Sequence, residues 1–209
     1  LPAELALPLV VRIERADPPS RTDALTAAAR AVLVMLTSDV AEWRPVLDAW
    51  DGQRIRKVVR RARGAHWQRA CELDGITVEQ GSAQVRVFPP VPVDDWPPEL
   101  ARLQVGGTEL SDPEPTGPPQ DGLPLILLSP LVTMTAGKAM AQAGHAAQLG
   151  WRSLGAQRRA AWQRSGFALA VRDATPAQWA AVLQAGVPVV HDGGFTEVEP
   201  GSQTAAFLS

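Results

Sequence analysis

Residues 7–36, LPLVVRIERADPPSRTDALTAAARAVLVML, lie over residues 123–152, LPLILLSPLVTMTAGKAMAQAGHAAQLGWR, at a constant offset of 116 (123 − 7). Each stretch runs from a short apolar segment through a turn into an alanine-rich segment with helical spacing, so each reads as strand, turn and helix. Two further matches follow in the same order. KVVRRARGAHWQRA at 57–70 lies over LAVRDATPAQWAAV at 169–182, with Trp67 on Trp179 at an offset of 112 (179 − 67). VEQGSAQVRVF at 78–88 lies over VEPGSQTAAFL at 198–208, at an offset of 120 (198 − 78). Three matches in one order describe a tandem duplication, and the step from 112 to 120 gives the second copy a loop, around His191 to Glu197, that the first lacks.

The periodicities within each copy predict the order strand, helix, helix, strand, helix, strand, strand. In the second copy these are a strand over 124–128, helices over 136–152 and 154–165, a strand over 167–172, a helix over 174–184, and strands over 187–190 and 203–208. In the first, 40–50 is the second helix. The expected fold class is α/β, with two similar units, each a small mixed β-sheet with flanking helices. Each unit is small for an independent core, so the two are expected to pack as an intramolecular pseudo-dimer.

Charge divides the chain in the same way. Residues 1–88 hold 13 basic and 11 acidic groups, 89–122 hold 1 and 7, and 123–209 hold 6 and 4, so the chain's net charge of −2 belongs to the middle stretch. That stretch is also proline-rich and reads as a linker, with Trp96 and Leu100 as candidate anchors. The organisation expected is one unit at 1–88, an acidic linker at 89–122 and a second unit at 123–209 that holds the loop the first unit lacks.

One cysteine, Cys71, excludes an internal disulfide, and the three histidines at 66, 145 and 191 follow no zinc spacing, so metal catalysis is not expected. No apolar run reaches the length of a membrane span and the N-terminal segment does not read as a leader, which leads to the expectation of a soluble, cytoplasmic chain, and the intramolecular pseudo-dimer to that of a monomer. Basic residues comprise 18 Arg and only 2 Lys. Lys57 lies in an arginine-rich strand; Lys138 stands at the start of a weakly charged helix.

The segments MTAGKAMAQAGHAAQ, Met134 to Gln148, and HDGGFTEVEPGSQT, His191 to Thr204, together resemble the type 2 (archaeal and eukaryotic) peptidyl-tRNA hydrolases, in that family's order and spacing over Leu123 to Ser209. The resemblance implies an enzyme that hydrolyses the ester between a peptide and the 3′ end of tRNA without metal or cofactor. It places Lys138 at the family's essential lysine and Asp192 at its essential aspartate, with Thr196 and Thr204 at its active-region threonines. Gln142 and His145 fall on its helix motif beside Gly137. Peptidyl-tRNA is the implied partner, and the first copy would stand in for the second subunit of the family's homodimer.

The residue types suit that chemistry. An ammonium stabilises the negative charge that an ester carbonyl develops under attack, and a carboxylate orients the attacking water or accepts its proton. On the bland reading, Asp192 before two glycines is a turn former, Lys138 and Gln142 are surface residues, His145 is a packed core histidine, and the threonines satisfy loop donors. Pro130-Leu131 stands where the family usually has an aspartate, and Phe195 where it has an arginine. At an offset of 116, Thr22 takes the place of Lys138 and Ala29 that of His145, so the first copy carries no such site. Its contribution would be charge: Arg54, Arg56 and Arg60 alternate on one strand face, with Arg56 and Arg60 as candidate phosphate contacts. The alternative function is a tRNA- or protein-binding member of the same fold without efficient hydrolysis.

Overall fold

The computed structural model describes residues 3–194 and 197–209. The first unit runs β1 (Leu5–Arg12), α1 (Arg21–Leu36), a 3-10 turn (Ala41–Trp43), α2 (Arg44–Asp51), β2 (Arg56–Ala62), α3 (Gly64–Glu72), β3 (Ile76–Gln80) and β4 (Ala83–Val87). The linker supplies β5 (Val91–Pro92) and α4 (Pro98–Ala101). The second unit follows with β6 (Leu125–Leu128), α5 (Ala136–Ser153), α6 (Ala156–Arg164), β7 (Ala170–Asp173), α7 (Pro176–Gln184), β8 (Val189–His191) and β9 (Gln203–Leu208). The two units share one topology. The sheets are ordered β2-β1-β4-β3 and β7-β6-β9-β8, each with one parallel pair beside antiparallel ones.

The alanine-rich helices α1 and α5 are the main contact between the units, and each also reaches the second strand of the other unit, α5 to β2 and α1 to β7. This reciprocal arrangement is that of a pseudo-two-fold pair. Small side chains permit it: Ala139, Ala143, Ala146 and Ala147 of α5 and Ala24, Ala27, Ala28 and Ala31 of α1 are fully buried. One hydrophobic core collects both helices with the inner faces of β1 (Leu5, Leu7, Leu9, Val11), β6 (Ile126, Leu128) and β9 (Ala205, Phe207). Trp67 and Trp179 occupy corresponding clusters on the outer faces of the two sheets.

Two details of the repeat are corrected. The helix caps are Ser20 and Thr135, an offset of 115 (135 − 20), so Asp23 rather than Thr22 stands at the place of Lys138, and Arg30 rather than Ala29 at that of His145. Furthermore, VEQ at 78–80 ends strand β3, whereas VEP at 198–200 lies in a loop; the strand paired to β9 is instead Val189–His191. Pro200 lacks the donor a strand would use there, and the described residues 192–194 and 197–202 lie between β8 and β9 where the first unit has the tight Gly81-Ser82 turn.

The linker is built into the fold. β5 pairs antiparallel with β1, and Leu100 and Leu103 are buried beside Val10, Trp67 and Phe88, with Trp96 packed against them. Further on, Asp112 accepts from the N–H of Thr22 (2.8 Å) and its hydroxyl (2.8 Å), and Thr108 accepts from the N–H of Gly137 (2.9 Å). The linker therefore satisfies first-turn donors of both central helices. Asp112→Ala is expected to cost about 1 kcal/mol, the usual loss on removing a helix cap, read from the denaturant midpoint.

Candidate active site

Lys138 and Gln142 lie one turn apart on α5 and point the same way. The β8–β9 loop brings Asp192 to both. Its Oδ2 accepts from Lys138 Nζ at 2.7 Å and from Gln142 Nε2 at 2.8 Å, while Oδ1 accepts from the Gly194 N–H at 2.8 Å. The ion pair is sheltered, with side-chain exposures of 10% for Lys138 and 7% for Asp192. Thr204, wholly buried on β9, donates to Gln142 Oε1 and so turns the amide nitrogen of Gln142 toward Asp192. The loop is anchored by backbone bonds from Asp192 N to Ser202 O (2.9 Å) and from Gly201 N to Asp192 O (2.7 Å).

Glu197 of the same loop accepts from the N–H (2.8 Å) and hydroxyl (2.6 Å) of Thr135, whose Oγ1 in turn caps the Lys138 N–H at 3.3 Å. The amides of Gly137 and Lys138 are thus given to Thr108 and Thr135. Gly137 is required for a packing reason, since a Cβ there would lie 2.8 Å from Thr108 Oγ1. These two first-turn amides are therefore already paired, and the charged donor that α5 presents to Asp192 is the Lys138 ammonium.

The pair opens onto a cleft of about 820 Å³ that both units line. Residues 54–60 of the first unit form one side, with Gly137, Lys138, Gln142, His145 and residues 190–193 opposite. Of the expected residues, Lys138, Asp192, Gln142, His145, Gly137, Arg56 and Arg60 therefore share one cavity. Thr204 stands behind Gln142, outside the lining of the cleft, and meets it only through the amide of Gln142. Thr196, with the neighbouring Phe195, lies outside the described residues. Arg56 reaches Glu4 at 3.5 Å. Arg60 donates to the carbonyls of Ala101 (2.9 Å) and Leu103 (2.7 Å) and stacks 4.5 Å from the centre of the Trp96 ring, which ties the linker to this wall.

Lys57 is the residue whose part the sequence left open. It is buried where β2 meets α5, donating to Gln148 Oε1 (2.7 Å) and Ile55 O (3.2 Å) and lying over the Trp50 ring. Gln148 continues to Asp51, which also binds Arg152. Burial, and then Arg152, hold the Lys57 amine well below the usual lysine range. His145 is held well below the usual histidine range by burial and then by Lys57, against a hydrogen bond with the Ile55 backbone. With both folded values lowered, the unfolded chain binds more protons, so stability falls as pH drops from 10.5 for Lys57 and from 6.5 for His145. Between pH 7.5 and 5.5 the denaturant midpoint is expected to fall less for His145→Gln than for the wild type.

The corresponding place in the first unit carries a different chemistry. Asp23 Oδ2 accepts from the Ser82 N–H (2.8 Å) and hydroxyl (2.7 Å), and the α1–β7 side is bridged by Arg21 to Asp173 in a bidentate pair at 2.8 and 3.0 Å. Among the described residues, no group of three or more His, Cys, Asp or Glu is placed to hold a metal ion, and no single helix is long and apolar enough to cross a membrane. Comparison with known proteins returned no matching family model, no matching curated protein and no matching solved structure.

Proposed function

We propose that this protein is a peptidyl-tRNA hydrolase with one site per chain, centred on Lys138 and Asp192. The observation that carries the reading is the sheltered 2.7 Å Lys138–Asp192 pair, with Gln142 and Thr204 behind it, at an open cleft between the units. These residues come from the two segments that resemble the type 2 family. A buried ion pair costs desolvation energy that an apolar pair would not, so its position in a cleft is better explained by chemistry than by stability.

In this reading the ester carbonyl enters beside Lys138. Of the three ammonium donors, one goes to Asp192 and, among the described residues, the others remain for the oxyanion. Water held at the Asp192 carboxylate attacks the acyl carbon. The bond to the ribose 3′ oxygen breaks, and the proton lost by water passes through Asp192 to that oxygen, releasing peptide and tRNA. Gln142, fixed by Thr204, keeps Asp192 in place. The pseudo-dimer gives one chain both walls of the cleft, so it acts as a monomer, in the cytoplasm where peptidyl-tRNA occurs.

Peptide release from N-acetyl-dipeptidyl-tRNA by the purified chain tests this. Multiple turnovers are expected. A folded chain that binds the tRNA in a salt-sensitive manner but releases no peptide would overturn hydrolysis in favour of the binding reading.

A further inference from the structure

We infer that the acyl chain of the substrate docks as an added strand on the free edge of β2, which the degenerate unit contributes; this rests on the reading of the site as a peptidyl-ester hydrolase. The argument begins with strand alternation. β2 is the terminal strand of its sheet and, among the described residues, pairs with β1 along its length and with the linker only at Arg61. The Arg61 N–H points away from β1, because it reaches Gln104 O at 2.9 Å, while Ala62 O points toward β1 and accepts from Ile13. Backbone groups at alternate positions of a strand in a parallel pair point the same way, so Lys57 and Val59 also direct their N–H and C=O groups away from β1.

Both ends of this row are already used. At one end the Ile55 carbonyl accepts from Lys57 Nζ. At the other, the linker makes a single antiparallel bridge at Gln104 and then turns off through Gly106-Gly107, where Gly107 has φ +71° and Arg61 holds the Gly106 carbonyl at 2.8 Å. The linker thus begins the added strand and leaves before reaching Val59. Lys57, Val58 and Val59 line the same cleft as Lys138 and Asp192.

An occupant must offer alternating amide donors and acceptors, which an extended peptide does and a nucleotide does not. The opposing edge strand, β8, also borders the cleft, but its register breaks between Val190 and His191, which spoils it as a template. An acyl peptide on β2 would have its backbone recognised independently of its side chains. That suits a hydrolase meeting peptides of many sequences.

The test uses isotopically labelled full-length protein and N-acetyl-trialanine joined by an amide to 3′-amino-3′-deoxyadenosine, which retains the acyl chain without the scissile ester. At a concentration of about ten times Kd, exchange of the Lys57 and Val59 amides is expected to slow by about tenfold. Amides of Val58 and Arg60, which face β1, should change little. N-methylation of the ligand amide facing Val59 should weaken binding by about fivefold, and of its neighbour not at all. Binding that moves Lys138 and Gln142 signals without protecting Lys57 or Val59 overturns the proposal, as does absence of binding. Protection at the edge in a protein that leaves the ester substrate intact supports the docking and removes the hydrolase reading alone.

Discussion

Asp192→Asn is expected to lower kcat/KM for peptide release by about a thousandfold, because general-base and electrostatic contributions are each worth roughly 10²–10⁴ in rate. The substitution keeps an oxygen for Lys138 and removes the charge, so the loop should stay anchored through its backbone bonds to Ser202 and Gly201. Lys138→Met is expected to abolish turnover to a similar degree and also to destabilise the fold by about 3 kcal/mol, because it leaves the sheltered Asp192 charge without its cation. Thr204→Val should act through Gln142 alone. Its expected loss is about tenfold in kcat with KM little changed, since Thr204 does not line the cleft. Steady-state kinetics beside denaturant titrations separate these effects. An Asp192→Asn variant with wild-type kcat/KM would place the chemistry elsewhere.

Gly150→Ala is expected to destabilise the protein by about 3 kcal/mol, the upper part of the range for overpacking a core. Helix propensity alone predicts the opposite sign, a gain of about 1 kcal/mol, because glycine inside a helix is unfavourable relative to alanine. Packing decides it. A Cβ on Gly150 would lie 2.4 Å from Phe207 Cγ and Cδ2 and 2.6 Å from Cδ1. The Phe207 ring is buried on β9 and packed at a tilt of 39°, 5.3 Å between centroids, against Trp162, so it has nowhere to retreat. Gly144 is the matching case at the crossing of the central helices, where a Cβ would lie 2.7 Å from Val32 Cγ2. A thermal or denaturant midpoint for Gly150→Ala at or above the wild-type value would contradict this packing of α5 on the second sheet.

Much of this architecture was legible because duplication doubles the signal. The order of strands and helices follows from apolar spacing, and the alanine faces of α1 and α5 announce a close helix contact. What the sequence hid were long-range side-chain bonds without periodicity. Thr108 and Asp112 sit in a proline-rich stretch with nothing to distinguish them, and only the folded chain brings them to the two helix starts. The helix register departs by one residue from the offset of the preceding strands because the turns before α1 and α5 differ in length, and the capping residues Ser20 and Thr135 are the sequence signal that marks it. VEQGS and VEPGS look alike as strings, yet one continues a strand and the other fills the loop that delivers Asp192. In the site, Lys138, Gln142 and Asp192 were marked together by motif, while the wall formed by β2 was visible only as charge. Lys57, singled out for its rarity, proved to be the buried link between β2 and α5.

The most direct test of the central claim compares the wild type with the double variant Lys138→Met, Asp192→Leu. Replacing both members of a sheltered ion pair with apolar residues leaves no unpaired charge, so a cooperative fold is expected, less stable by about 1–3 kcal/mol because the buried Gln142 amide loses its acceptor. Peptide release from N-acetyl-dipeptidyl-tRNA by that folded variant should fall to the uncatalysed rate while the wild type turns over. Undiminished release by the double variant would contradict the assignment of hydrolysis to this pair.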